Sequence, residues 1–145
     1  MAMWGGRFDA APNELVAKLG ESVSFDKRMY RQDIAGSTAH ARMLARQGII
    51  SEDDANQIVT GLAAVKKEIE TGALLFKPAL EDVHMNIEHR LTELIGPPGA
   101  KLHSGRSRND QVATDIRLHL RDESDVILDA IKDMQVSLVN LAKHH

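Results

Sequence analysis

The chain has 145 residues, of which 43% are hydrophobic and 27% charged, and its formal net charge is −3. This composition supports a packed core, excludes wholesale disorder and argues against non-specific binding to nucleic acid. Because the sequence contains no cysteine, disulfides, thiolate nucleophiles and cysteine-ligated metal sites are excluded, and no apolar run approaches the about 20 residues of a membrane helix.

Apolar residues recur at intervals of three and four along the first half of the chain, which is the spacing of amphipathic helices. A short helix is predicted over residues 12–20 and a longer one over about 26–47, each ending at or before a glycine. A third helix is predicted from Ser51 to Gly72, because a serine followed by three acidic residues is a favourable N-terminal cap.

The second half continues this helical pattern. Residues 73–80 are predicted to form a connection, and a fourth helix from Val83 should end at the Gly-Pro-Pro-Gly run at 96–99. The last pattern begins at Val112 and continues to the end of the sequence. About 35 helical residues span roughly 50 Å, whereas a compact chain of this size is only about 40 Å across. We therefore expect this helix either to pack along helices of other subunits or to belong to a larger protein, and we expect an all-α fold.

The densest polar segment is LHSGRSRNDQ at residues 102–111, where a loop of Gly, Ser and Arg enters the last helix. Free N–H groups at the helix start, with Arg106 and Arg108 beside them, would bind a carboxylate or a phosphate. The alternative is a solvated basic loop in which Ser107 or Asn109 simply caps the helix.

A second polar segment, EDVHMNIEH at residues 81–89, places His84 and Glu88 on the same helix face. Neither the HExxH nor the HxxEH zinc pattern is present, so no metal site is predicted. The alternative to a functional role is an exposed helix face with a His84–Glu88 contact, worth a few tenths of a kcal/mol, about 0.2–0.5.

The third segment is SVSFD at residues 22–26, in which Ser24 or Asp26 could serve only to cap the helix that follows. Elsewhere, the sequence contains no GxGxxG, phosphate-binding loop or GxSxG motif. The commonest nucleotide-binding and acyl-transfer functions are therefore not indicated.

Together these segments resemble the N-terminal part of the argininosuccinate lyase family, in the fumarase/aspartase superfamily that includes the lens protein delta-crystallin. Four stretches carry the resemblance: WGGRF at 4–8, SVSFDKRMYRQDIAGSTAHA at 22–41, EDVHMNIEHRL at 81–91 and KLHSGRSRNDQVATD at 101–115. Fumarases and aspartases tend to have Ser-Ser-Asn-Asp at the last loop. The Arg-Ser-Arg-Asn-Asp at 106–110 therefore points to the argininosuccinate branch.

The resemblance implies an enzyme of arginine biosynthesis that splits argininosuccinate into arginine and fumarate without a metal or organic cofactor. It implies that Ser22 and Asn109 hydrogen-bond the substrate, that Arg108 binds a carboxylate, and that Asp26 is a weaker candidate of the same kind. Three further residues would support the site: Asp82, His84 and Gln111. A cytoplasmic homotetramer whose active sites each combine three subunits is also implied, with neither nucleic acid nor membrane as a partner.

The catalytic His and Ser of this family lie in Gly-Tyr-Thr-His-Leu-Gln and Gly-Ser-Ser-x-Met-Pro segments, and this sequence contains neither. The resemblance thus divides the chain into an N-terminal helical domain, 1–107, and the first long helix of the central bundle, 108–145. We expect the chain to supply substrate-binding groups but not to turn over alone. Two alternatives remain open: a structural module of crystallin-like or truncated-paralogue type, and a loop that binds phosphate or RNA.

Overall fold

The computed structural model describes residues 14–144, and the regular structure in that range is entirely helical. The all-α prediction is confirmed. In the described range the α-helices are α1 Glu14–Gly20, α2 Val23–Asp26, α3 Tyr30–Arg46, α4 Glu52–Glu70, α5 Val83–Ile95, α6 Pro97–Ala100 and α7 Arg108–His144. Two 3₁₀ turns, Lys27–Met29 and Pro78–Leu80, join them. The WGGRF motif at 4–8 and Pro12 lie outside the described residues.

The chain divides into two compact units between Ser104 and Gly105. The first unit contains α1 to α6, and the second contains α7. The domain boundary at 107/108 that the family resemblance implies concerns the complete enzyme, and it stays a prediction.

The core of the first unit is formed where α3, α4 and α5 pack together. The predicted stripe on α4 is confirmed, since Ile58, Leu62 and Val65 are fully buried. They meet apolar residues from the two neighbouring helices, among them Ile34, Ala41, Leu44, Val83, Ile87 and Leu91. Burial of a Val, Leu or Ile side chain contributes about 1.5–3 kcal/mol, so this interface stabilises the unit.

The start of α4 shows how strongly local sequence determines this fold. The Ser51 hydroxyl accepts a hydrogen bond from the Asp54 backbone N–H at 3.1 Å, and the Asp54 carboxylate accepts one from the Ser51 N–H at 3.3 Å. This reciprocal pair is a capping box, which satisfies two N–H groups at the helix start. The predicted cap at Ser51 is confirmed.

Two helix starts differ from those that the apolar spacing alone predicts. The helix predicted from about residue 26 begins at Tyr30, because the preceding residues form α2 and a 3₁₀ turn. The last helix begins at Arg108, four residues before Val112, because its first turn is capped by polar residues that carry no periodic signal. The Gly-Pro-Pro-Gly run also forms one helical turn, α6, with proline in the first positions where its missing N–H is not needed.

The second unit is dominated by α7, whose 37 residues span about 55 Å. Its apolar residues follow the alternating three–four spacing of a coiled-coil seam. They are largely exposed within this chain: Leu120, Ile127, Ile131, Met134, Leu138 and Leu141. Within the described range, every helix is too short or too polar to cross a membrane.

Gly61 allows α4 and α5 to approach closely. A Cβ atom at this position would lie 2.6 Å from Leu91 Cδ1 and 3.0 Å from Ile95 Cγ2. Both distances are shorter than an ordinary van der Waals contact, and Leu91 is fully buried. A side chain at position 61 would therefore have to displace the packed core.

We predict that Gly61→Val lowers the free energy of unfolding by about 1–3 kcal/mol, the usual effect of overpacking a core. Urea unfolding followed by circular dichroism measures this loss. The matched variant Ala63→Val, at an exposed site on the same helix, should lose less than about 0.7 kcal/mol, since only helix propensity changes there. Equal losses in the two variants would show that the close approach at Gly61 has no energetic effect.

Candidate functional site

The start of α5 is held by two aspartates. The Asp82 carboxylate caps the helix by accepting a hydrogen bond from the Met85 N–H at 2.6 Å. Asp26, 57 residues away in sequence from its partner, accepts one from the Val83 N–H at 3.1 Å. Both bonds satisfy backbone donors that have no partner within the helix, and both place negative charge at the positive end of its dipole.

Ser22 is fixed on the same side of α5 by three hydrogen bonds. The backbone N–H groups of Ser22 and Val23 donate to the Glu81 carbonyl at 2.8 and 3.0 Å. The Ser22 hydroxyl donates to the second carboxylate oxygen of Asp26 at 2.6 Å. The position of Ser22 therefore depends on that of residues 81–83, where α5 begins.

The backbone at Glu81 is strained. Its φ of +59° and ψ of −66° are rare for a residue with a side chain, and the Asp82 N–H donates to the Leu80 carbonyl at 2.7 Å across it. This geometry is a γ-turn of the uncommon, strained form. The turn directs the Glu81 carbonyl toward the N–H groups of Ser22 and Val23, and these bonds help to maintain the strained conformation.

His84 is buried in the first turn of α5 and pairs with Asp33 of α3. The His84 Nδ1 atom lies 2.9 Å from Asp33 Oδ1, and the two side chains are 1% and 2% exposed. The alternative of an exposed His84–Glu88 contact is therefore wrong for His84. Glu88 instead has its carboxylate 3.7 Å from the Nδ1 atom of His103.

In the second unit, several polar residues lie together at the first turn of α7. The Ser107 hydroxyl accepts a hydrogen bond from the Asn109 N–H at 3.2 Å, and the Asp110 carboxylate accepts one from the Ser107 N–H at 2.8 Å. Ser107 is thus the capping residue, and Asn109 is exposed within the helix. Arg108 donates from its guanidinium to the Gln111 side-chain oxygen at 2.5 Å. Carboxylate-binding chemistry fits this turn, because an amide and a guanidinium both supply N–H donors.

The candidate residues fall into two groups. The structure brings four of them together around the start of α5: Ser22, Asp26, Asp82 and His84. The other three lie together in the first turn of α7: Arg108, Asn109 and Gln111. Each group combines hydrogen-bond donors with carboxylates or amides that hold them in place.

Comparison with known proteins places this arrangement in a family. Residues 6–145 match the family described as Lyase. The chain belongs to this lyase family. It is 58% identical to argininosuccinate lyase of Acinetobacter baylyi over 140 residues, which are 97% of this chain and 29% of that protein. The Acinetobacter baumannii argininosuccinate lyase is 56% identical over 140 residues, which are 97% of this chain and 29% of that protein. The Leptospira biflexa argininosuccinate lyase is 52% identical over 143 residues, covering 99% of this chain and 30% of that protein.

These comparisons confirm the resemblance to argininosuccinate lyases that the sequence motifs indicated. The chain spans less than a third of the length of the curated relatives it matches. The two polar groups of residues described above therefore belong to the part of the relatives that this chain matches.

Two residues that hold the candidate site in place were not indicated by the sequence motifs. Asp33 lies on the buried face of α3 with Ser37, Ala41 and Leu44, at helical spacing. A carboxylate on an apolar face was the signal that could have identified its buried partner. Glu81 gave no signal, because its role depends on its backbone carbonyl and not on its side chain.

Burial raises the pKa of the Asp26 carboxyl above its ordinary value of 3.8, although the Ser22 hydrogen bond opposes this shift. Because the folded-state pKa is then above the unfolded one, the folded chain binds this proton more tightly than the unfolded chain does. The contribution of Asp26 to the free energy of unfolding is therefore largest at low pH and falls as the pH rises through the folded-state pKa.

We predict that Asp26→Asn is nearly as stable as the wild type at acid pH and becomes relatively more stable toward pH 7, because asparagine carries no charge to bury. Asp26→Ala should lose about 1–3 kcal/mol, since the Val83 N–H and the Ser22 hydroxyl lose their acceptor. Urea unfolding between pH 4 and 7 measures both effects. If Asp26→Asn became less stable than wild type as the pH rose, the direction of the pKa shift would be wrong.

Proposed function

We propose that this chain is the substrate-binding N-terminal part of an argininosuccinate lyase, which cleaves argininosuccinate to arginine and fumarate in arginine biosynthesis. The observation that carries the proposal is its 52–58% identity, over nearly its whole length, to proteins of that name. The polar groups at the starts of α5 and α7 add chemical support.

The reaction is an elimination with defined requirements. A base removes a proton beside a carboxylate, the C–N bond breaks as the C=C bond of fumarate forms, and the departing guanidino nitrogen receives a proton. Negative charge develops on the carboxylate next to the carbanion, so hydrogen-bond donors and cations there lower the barrier. No metal or organic cofactor is part of this proposal.

Arg108 and Asn109 fit the role of carboxylate ligands. The Arg108 guanidinium is a planar cation with five N–H groups, one of which donates to Gln111, and the exposed Asn109 amide adds two N–H donors. Their place in the first turn of α7 adds the positive end of the helix dipole to the attraction for an anion. Gln111 would support the site by holding the guanidinium.

Ser22 fits a different role, because its single hydroxyl proton is donated to Asp26. The Ser22 oxygen can then accept a hydrogen bond but has no second proton to donate. We infer that it contacts an N–H group of the substrate and not a carboxylate. Asp26 uses both carboxylate oxygens for Ser22 and Val83, which favours a role in positioning Ser22 over direct substrate binding.

The acid and base would come from the family's downstream His and Ser segments, which this sequence does not contain. The exposed apolar seam of α7 supports assembly through this helix, as in the homotetrameric central bundle that the family resemblance implies. The complete enzyme would be a cytoplasmic tetramer acting on a small molecule. A non-catalytic structural module remains the second candidate, favoured by the same apolar seam.

The function can be tested in a chimera in which this chain replaces the matching segment of the Acinetobacter baylyi argininosuccinate lyase. The chimera should release fumarate from argininosuccinate, measured by ultraviolet absorbance, and the isolated chain should release none. Asn109→Ala in the chimera should lower kcat/KM by about 10²–10³-fold, the usual effect of removing one donor from a developing negative charge.

Asn56→Ala, at an exposed asparagine of α4, is the matched control and should leave kcat/KM unchanged. Normal turnover in the Asn109→Ala chimera would contradict the binding assignment. A tetrameric chimera without any activity would favour the structural-module alternative.

The role of the α7 seam can be tested on the chain itself by sedimentation equilibrium. We predict that Ile131→Glu weakens self-association at least about tenfold, because a charge in an apolar seam loses its hydration without gaining a partner. The control Asn140→Glu adds the same charge to α7 away from the seam and should associate like wild type. Equal association of all three proteins would contradict assembly through this seam.

A further inference from the structure

The Asp33–His84 pair is a buried polar contact of the first unit that the proposed reaction does not use directly. It joins α3 to α5 across 51 residues of sequence, with 2.9 Å between Asp33 Oδ1 and His84 Nδ1. We propose that Asp33 is a positioning residue of the lyase: through His84 it sets the start of α5 and thereby the position of Ser22. This inference rests on the proposed function only for the role of Ser22 in substrate binding.

Stability alone does not explain this pair. A buried carboxylate and imidazole lose their hydration, and apolar residues of similar volume usually stabilise a core as well or better. Both side chains are nevertheless almost completely withdrawn from water. A buried polar pair does specify the relative orientation of the two helices that carry it, because its hydrogen bond forms in only one arrangement of the two side chains.

The direction of the hydrogen bond follows from the chemistry of the two groups. An ionised carboxylate only accepts hydrogen bonds, so in the proposed pair the His84 Nδ1–H donates to Asp33 Oδ1. This bond sets both the tautomer and the ring orientation of His84. His84 is the second residue of α5, where the helix dipole favours the negative charge that Asp33 supplies.

A short path leads from this pair to Ser22. Val83, beside His84, donates its N–H to Asp26, and Asp26 accepts the Ser22 hydroxyl. On the other side, Glu81 accepts the Ser22 N–H with its carbonyl. The first turn of α5 is thus tied to the preceding helices by Asp26 and by Asp33. Removing the Asp33–His84 hydrogen bond would let this turn shift, and Ser22 would shift with it.

The positioning role can be measured first without any activity assay, in the 145-residue chain. Amide hydrogen exchange at Ser22 and Val23 should accelerate at least about tenfold in Asp33→Ala, because their bonds to Glu81 open more often. The Nδ1 proton signal of His84 in the proton NMR spectrum should disappear in Asp33→Ala and persist in Asp33→Asn, which keeps the acceptor oxygen.

Glu68→Gln is the matched control. Glu68 of α4 forms a two-point ion pair with Arg90 of α5, at 2.7 and 2.8 Å, so this variant also weakens a contact between α5 and a neighbouring helix. Exchange at Ser22 and Val23 should remain as in wild type. Equal acceleration in Glu68→Gln and Asp33→Ala, or no acceleration in either, would overturn the proposal.

In the chimera, Asp33→Ala should lower kcat/KM by about 10²-fold, the effect of a misplaced contact group, and Asp33→Asn should recover most of that loss. In a Ser22→Ala background the further loss from Asp33→Ala should be less than about threefold, because two residues acting through one contact are not additive. Full additivity with Ser22→Ala would overturn the path through Ser22. If the exchange result holds in an inactive chimera, the proposed function fails while the positioning role stands.

Discussion

The site in the first unit depends on the need of the α5 N-terminus for hydrogen-bond acceptors. A helix begins with N–H groups that have no partner within the helix, and they carry the positive end of its dipole. Asp82 satisfies one from the same loop, and Asp26 satisfies another from a distant segment. Asp33 reaches the same turn through His84. The segments that carry Ser22 and α3 are drawn to α5 by this requirement.

Helix capping and the proposed substrate binding use the same residue types, and the structure shows which residues make the capping bonds. In the first turn of α7, Ser107 makes the capping bond, which leaves the Asn109 side chain exposed. At α5, Asp82 and Asp26 each satisfy one N–H group of the helix start, and Asp26 also holds Ser22 with its second carboxylate oxygen. At each helix start, polar residues thus satisfy the helix, and Asn109 or Ser22 lies beside them. A motif rich in such residues therefore supports both functions at once.

The two units contribute differently to the proposed enzyme. The first unit has a closed apolar core of its own, in which α3, α4 and α5 bury their stripes against one another. The second has a helix whose stripe is exposed within this chain. An apolar seam of this length is costly in water, and burial by other helices would recover that free energy. The proposed assembly thus follows from the same hydrophobic effect that forms the core.

The sequence by itself determined the features that depend on neighbouring residues. The α4 stripe and the Ser51 cap, the end of α5 at Gly96 and the polar start of α7 all follow from interactions within a few positions. Its motifs also indicated the lyase family and the residues of the candidate site. Only the tertiary structure decided that His84 faces Asp33 instead of Glu88, and that Asp26 holds both Val83 and Ser22. The His84–Asp33 and Val83–Asp26 pairs join residues 51 and 57 positions apart, and helix packing, which local spacing does not specify, brings them within hydrogen-bonding distance.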